Sequence, residues 1–249
     1  MNNDVRRFGV IAPPGNVAIE REFHPILPAG VTMNHNRLSR PGSDATTSDS
    51  LLGMADSIER AARDLAEAKP EVILYGCTSG SFLFGPGREA EPARRIFEVT
   101  GIGAITTSMA VISALRAFEA REVFMIGPYP DNVIGEEIAF LAHYGIEVRA
   151  WDSFRCGSSE ANRKVSSEQV AERVLAHASE ASACDAVFIT CTNLLSMDRI
   201  AFLEERLGKP VTSSNQASLW AALRAMDVDT SAMLAGSLFG RRTAVEVVK

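Results

Sequence analysis

No run of about 18 apolar residues, the length needed to cross a bilayer as a helix, occurs anywhere in this sequence. The opening Met-Asn-Asn-Asp-Val-Arg-Arg leads straight into a strand-like run. No secretion signal is therefore expected, and a cytoplasmic setting is the expectation. Basic stripes are also missing: the net charge of −6 is spread along the chain. That argues against nucleic acid or a membrane surface as partner. It leaves a small anion open, because one buried site can be locally positive inside an acidic protein. Cysteine is scarce, and Cys77, Cys156, Cys184 and Cys191 match neither a zinc spacing nor a disulfide framework. Reduced thiols and no metal site are expected. The four histidines (His24, His35, His143, His177) are scattered and form no Ser/His/Asp or metal pattern. What remains is an ordinary globular composition, 46% hydrophobic and 22% charged, which excludes a disordered chain.

Short apolar runs alternate with helix-length segments. The pattern predicts strands at 8–12, 72–75, 103–106, 123–126, 147–151, 186–190 and 210–212. Between and after them it predicts helices at 50–68, 91–100, 109–117, 132–144, 167–182, 199–207 and 216–226. Strands of four to six apolar residues joined through helices make parallel sheets covered on both faces, an α/β fold.

The chain also repeats itself. Val-Ile-Leu-Tyr-Gly-Cys77-Thr-Ser reads like Ala-Val-Phe-Ile-Thr-Cys191-Thr-Asn, an offset of 114 residues (191 less 77). Phe8-Gly-Val-Ile-Ala-Pro-Pro-Gly-Asn16 reads like Val123-Phe-Met-Ile-Gly-Pro-Tyr-Pro-Asp-Asn132, and the segment from Gly103 reads like that from Lys209. Three matches in the same order at a similar offset indicate a duplicated α/β unit. Ligands of open α/β sheets bind beyond the C-terminal ends of strands. The loops carrying Asn16, Cys77, Tyr129 and Cys191 each follow a strand, so they are expected to line one cleft between two lobes.

Gly76-Cys77-Thr78-Ser79-Gly80-Ser81 offers a thiol, two hydroxyls and successive backbone amides, a set that can hold a carboxylate or a developing oxyanion. A lone cysteine in such a place is commonly a small packing residue. A packing cysteine, however, has no reason to recur with polar neighbours, as Thr190-Cys191-Thr192-Asn193 does. The pair Cys77 and Cys191 is therefore read as catalytic: two groups on opposite sides of a flat carbon can attack or deprotonate one face and protonate the other. In the turns after the first strand of each unit, the Asn16 amide and the Tyr129 hydroxyl can bond a carboxylate. Cys184 shifts by the repeat offset onto Pro70, away from the cleft, and Cys156 is likewise read as structural. Ser166-Ser-Glu168 reads as a helix start, and Pro86-Gly-Arg88-Glu as a plain loop.

Taken together, Pro13-Pro14-Gly15-Asn16 with Glu20, Gly76-Cys77-Thr78-Ser79, Gly127-Pro128-Tyr129 and Thr190-Cys191-Thr192-Asn193 resemble the maleate cis–trans isomerases of the aspartate/glutamate racemase superfamily, to which arylmalonate decarboxylase is related. The resemblance implies two pseudo-symmetric Rossmann-like lobes, each with a four-stranded parallel sheet, residues 1–116 with 214–249 forming one and 117–213 the other. It implies no cofactor and no metal, a homodimer or higher homo-oligomer, and a small carboxylic acid substrate. Decarboxylases of that kind keep only the second cysteine, with glycine at the first; this chain has both. Asn16 fits the isomerase branch, and Asn162 matches that branch's second substrate asparagine. Pro-Pro-Gly-Asn departs from the Pro-Ser-Ser-Asn of many maleate isomerases.

The expected activity is cis–trans isomerisation of a small unsaturated dicarboxylate through a Cys77 thiolate adduct, with Cys191 handling the proton. Asn16, Asn162, Thr78, Ser79, Tyr129, Thr192 and Asn193 are the expected substrate-binding residues. Two-cysteine racemisation of a small amino acid or related acid is the alternative chemistry, arylmalonate-type decarboxylation a further one, and a non-catalytic binder the alternative class.

Overall fold

Two four-stranded sheets, all parallel, carry the structure, a computed structural model that describes residues 5–42 and 44–249. The opening Met1–Asp4 lies outside the described residues, so the expectation drawn from it is not addressed. The first sheet contains β1 (Arg6–Ala12), β2 (Val31–Arg37), β3 (Val72–Tyr75) and β4 (Ala104–Thr106) in the order β2-β1-β3-β4. The second contains β5 (Glu122–Gly127), β6 (Glu147–Ser153), β7 (Ala186–Ile189) and β8 (Val211–Ser213) in the matching order β6-β5-β7-β8. Phe8 pairs with Val72 in one sheet and Val123 with Ala186 in the other, so the duplication read from sequence is a duplication of register. The central strands are buried along their apolar runs, as helices on both faces require.

Two helices join the halves. Thr107–Ala117 and Ser214–Ala225 pack side by side, with the Ser218 hydroxyl 3.1 Å from that of Thr107. Ten of the twelve residues of Ser214–Ala225 are buried, which explains its weak amphipathic pattern: a helix wrapped on all sides needs no polar face. Both helices are capped by the last residue of the preceding strand, Thr106 accepting from the Met109 amide and Ser213 from that of Gln216. The chain end returns to the first sheet, where Val248 forms an antiparallel bridge with Ala104.

Besides the short helices Ala18–Phe23, Ser79–Phe82 and Ser159–Arg163, which the sequence reading did not place, the structure departs from it as follows. The edge strand β2 escaped it, because five of its seven residues, Thr32 and Asn34 to Arg37, are polar and only Val31 and Met33 are buried. The expected helix 50–68 is broken into Ser48–Leu52, a 3₁₀ stretch Gly53–Ser57 and Ile58–Ala66; glycine is a poor helix former and sits at the break. The expected helix 167–182 ends at Ala176 and restarts at Ala178, with His177 at φ −109° and ψ 29° between. Finally, the caps make Thr106 and Ser213 equivalent, one residue off the pairing suggested by aligning Gly103 with Lys209. Ser166 does start its helix, with a capping box to Gln169.

Candidate active site

Asn16, Cys77, Tyr129 and Cys191 meet around one small cavity between the lobes, of about 30 Å³, which they line with Ser79 and Asn162. Its size suits a ligand of few atoms: one water needs roughly 10–15 Å³ on the same measure. Thr192 and Asn193 also reach its wall. Thr78 does not; its hydroxyl is buried behind the loop without a partner. Leu51 also lines the cavity, and Phe82 stands one layer back with its ring edge-on to Tyr129 at 6.4 Å. Cys156 and Cys184 are buried elsewhere; the Cys184 thiol bonds the Glu180 carbonyl at 3.3 Å.

Cys77 follows β3 and its Sγ accepts the Gly80 amide at 3.2 Å, with the Ser79 hydroxyl 4.0 Å away. Gly80 is required by this fit, since a Cβ there would lie 2.8 Å from both Sγ and the Tyr75 hydroxyl. Burial pushes the Cys77 thiol up, while the Gly80 amide, the Ser79 hydroxyl and the positive charge of Arg40 pull it back.

Cys191 follows β7 at φ +89°, a left-handed conformation that costs a non-glycine residue about 1–3 kcal/mol. The turn is held on both sides: the Cys191 amide donates to Ser214 Oγ at 3.0 Å, and the Asn193 amide reaches Cys191 Sγ at 3.4 Å. The Asn162 amide lies 3.8 Å from the same sulfur, and Asn162 Oδ1 is buried without a partner. Burial pushes this thiol up to about 12; the Tyr129 hydroxyl and the Asn193 amide offset part of that, and the neighbouring Cys77 and Glu137 add to it. Glu137 itself is buried and pushed up to about 8 by that burial, with Thr190 Oγ1 donating to it at 2.6 Å.

The lobes are tied together one residue from Cys191. Asn16 Nδ2 donates to Thr192 Oγ1 at 3.0 Å, and Thr192 Oγ1 donates to the Gly76 carbonyl at 3.1 Å. Asn16 Oδ1 accepts the amides of Ala18 and Ile19 and starts the helix Ala18–Phe23. That leaves one Nδ2 hydrogen of Asn16 for a ligand. Asn193 is similarly engaged, accepting from the Val17 amide at 3.1 Å and donating to the Ser159 carbonyl at 3.5 Å. A second tie is Glu22, whose carboxylate accepts the Ser196 and Met197 amides and the Asn215 side chain.

Arg40, Thr46 and Ser159 line the cavity and were not foreseen. Ser39-Arg-Pro-Gly reads locally as a turn, and nothing in its spacing points toward the cysteines. Among the described residues, no cluster of three or more His, Cys, Asp or Glu could hold a metal ion, and no helix is long and apolar enough to cross a membrane.

Two pseudo-symmetric parallel sheets with a thiol from each at a shared cleft define the class, and comparison with known proteins gives it a family. The family model described as arylmalonate decarboxylase matches residues 8–239, and the chain belongs to that family. An arylmalonate decarboxylase of Bordetella bronchiseptica is 30% identical over 87% of this chain and 89% of its own length. A maleate isomerase of Nocardia farcinica is 26% identical over 97% of this chain and 98% of its own. The Nocardia maleate cis–trans isomerase bound to TRIS superposes with a TM-score of 0.87 at 25% identity, covering 94% of this chain and 98% of that one. A cysteine-to-serine mutant of that enzyme, 24% identical with a TM-score of 0.86 and the same coverage, holds a covalently bound succinylcysteine intermediate.

Proposed function

We propose that this protein is a cofactor-independent cis–trans isomerase of a small unsaturated dicarboxylate of the maleate type. The observation that carries the reading is the pair of thiols, one from each lobe, on the wall of one small cavity with the carboxamides of Asn16 and Asn162 beside them. Cys77 as thiolate adds to one alkene carbon, and the π pair moves to the other carbon and its carboxylate. Cys191 gives its proton to that carbon, leaving a succinyl thioether on Cys77 whose carbon–carbon bond is single and turns. Cys191 then takes the proton back, the carbon–sulfur bond breaks, and the trans acid leaves with the Cys77 thiolate restored. Asn16 and Asn162 hold the carboxylates; Tyr129 and Ser79 stabilise the charge that develops.

Three things support this division of labour. Cys77 has a cation and an amide donor near its sulfur, as a nucleophile needs. Cys191 is held protonated by burial, as a proton donor needs. The Nocardia relative forms a succinylcysteine, the adduct this mechanism passes through.

Incubation of the purified protein with maleate, followed by proton NMR, is expected to show fumarate appearing without cofactor or metal. Cys77→Ala is expected to abolish conversion while the fold melts at a similar temperature; undiminished turnover would sink the nucleophile assignment. The same reading carries a cytoplasmic enzyme acting as a homodimer or higher homo-oligomer, which gel filtration with light scattering checks for the assembly.

A further inference from the structure

Arg40 is the one cation on the wall of the thiol cavity, and that wall has no carboxylate, among the described residues. It lies half-buried in the loop after β2. Three residues earlier Arg37 is fully engaged, by Glu20 and by the carbonyls of Pro13 and Asn16. Arg40 has a single hydrogen bond among the described residues, from Nη1 to Ser159 Oγ at 3.2 Å. Its Nε is buried with no acceptor. A guanidinium carries five N–H donors in a rigid fork, so most of this one's capacity is unspent. A cation partly withdrawn from water, with an orphaned donor and no ion-pair partner, is costly unless something anionic completes it.

The geometry also says where that anion sits. Ser159 begins the helix Ser159–Arg163, which carries Asn162 one turn on. The guanidinium and the Asn162 side chain are therefore both set by this short helix, and Asn162 Nδ2, 3.8 Å from Cys191 Sγ, has a hydrogen to give an anion. Asn16 reaches the cavity from the turn after β1 and Arg40 from the loop after β2 of the same sheet, while Asn162 comes from the second lobe. We propose that Arg40 is the specificity residue of this site: with Asn162 it takes the second carboxylate of the substrate, while Asn16 holds the first, so that dianions are selected over monoanions. This inference rests on the isomerase reading for its substrate and deepens it. An uncharged pocket wall would accept a half-ester nearly as well as the diacid. A half-buried guanidinium on the wall of so small a cavity does not, because removing the second charge leaves it without its anion.

The test measures succinate and butyrate binding by calorimetry, and initial rates on maleate and on its monomethyl ester, in wild type and Arg40→Gln. The variant is expected to bind succinate about 10- to 100-fold more weakly and to raise KM for maleate by a similar factor, the size of a charge-assisted hydrogen bond. Butyrate affinity should change little, and the rate on the half-ester should fall only through kcat, by the loss of the Arg40 charge beside Cys77, with no rise in KM, so the preference for the diacid collapses. Arg40→Lys, which keeps the charge but loses the fork, should recover part of the loss. A preference for two carboxylates that survives Arg40→Gln intact overturns the proposal, as does a wild type that binds succinate no better than butyrate. Succinate cannot isomerise, so the two readings fail separately. Arg40-dependent succinate binding without conversion of maleate sinks the isomerase and keeps the clamp; maleate conversion untouched by Arg40→Gln does the reverse.

Discussion

After β3 the chain reaches Cys77 in an ordinary backbone conformation, and the sulfur meets an amide, a hydroxyl and the field of Arg40. After β7, at the equivalent place, it reaches Cys191 at φ +89°, and the sulfur meets a phenol, a carboxamide and, behind them, the buried carboxyl of Glu137. The strand ends are alike and the groups around them are not: a cation stands near the first thiol, and a carboxyl that burial keeps protonated stands near the second. A duplicated frame fixes where two groups stand; what each group does is decided by the few side chains that differ between the copies. The first loop has gained a cation from outside the repeat and the second a carboxyl, and the proposed division into nucleophile and acid rests on that difference.

Removing the proton donor should test this contrast hardest. Cys191→Ser is expected to cut turnover by about 10²- to 10⁴-fold, the usual worth of positioned acid–base catalysis. Because Cys77 is left intact, a maleate adduct should accumulate on it, visible as added mass on the peptide containing Cys77. Adduct on Cys191 in a Cys77→Ser protein instead would reverse the roles. Gly80→Ala comes next. Its Cβ would press on the Cys77 sulfur and the Tyr75 hydroxyl at 2.8 Å, so a loss of about 1–3 kcal/mol in stability and of about tenfold in kcat is expected. Alkylation of Cys191 should be unchanged; a variant in which both thiols change reactivity together would mean that the loops are not independent. The last effect, read as a slope against pH and leaving turnover aside, concerns Glu137. Its carboxyl titrates near the ordinary 4.5 when unfolded and at about 8 when folded, so the native state binds the extra proton between those values. Stability from this group is full below about pH 4.5, falls as pH rises, and is lost above about 8, at no more than about 1.4 kcal/mol per unit. Glu137→Gln should flatten the decline in Tm between pH 5 and 8, leaving the part due to Glu22, which is pushed up to about 7. An unaltered slope would remove Glu137 from the comparison.

The duplicated α/β architecture was legible because buried parallel strands must be apolar and short, and because the same polar set recurs around both cysteines. The strand β2 was not, since an edge strand with a wet face needs few apolar residues. Among the site residues, those standing at strand ends, Asn16, Cys77, Tyr129 and Cys191, could be placed by topology alone. Thr192 and Asn193 were singled out from sequence as ligands for substrate; the side chains of both make bonds across the cleft. Arg40 had no signature, because its place on the wall depends on how an irregular loop folds over the lobes, and no periodicity records that.

The left-handed turn at Cys191 sets stability and chemistry against each other at a single codon. Glycine would occupy that backbone at no steric cost, and it is the residue that brings no proton. On the proposed mechanism, any change that relaxes the turn by that route disarms the site, and any protein that keeps the thiol keeps the strain. Drift toward greater stability at this position runs directly through loss of function, so the turn marks a place where selection for activity must act continuously to hold the sequence where it is.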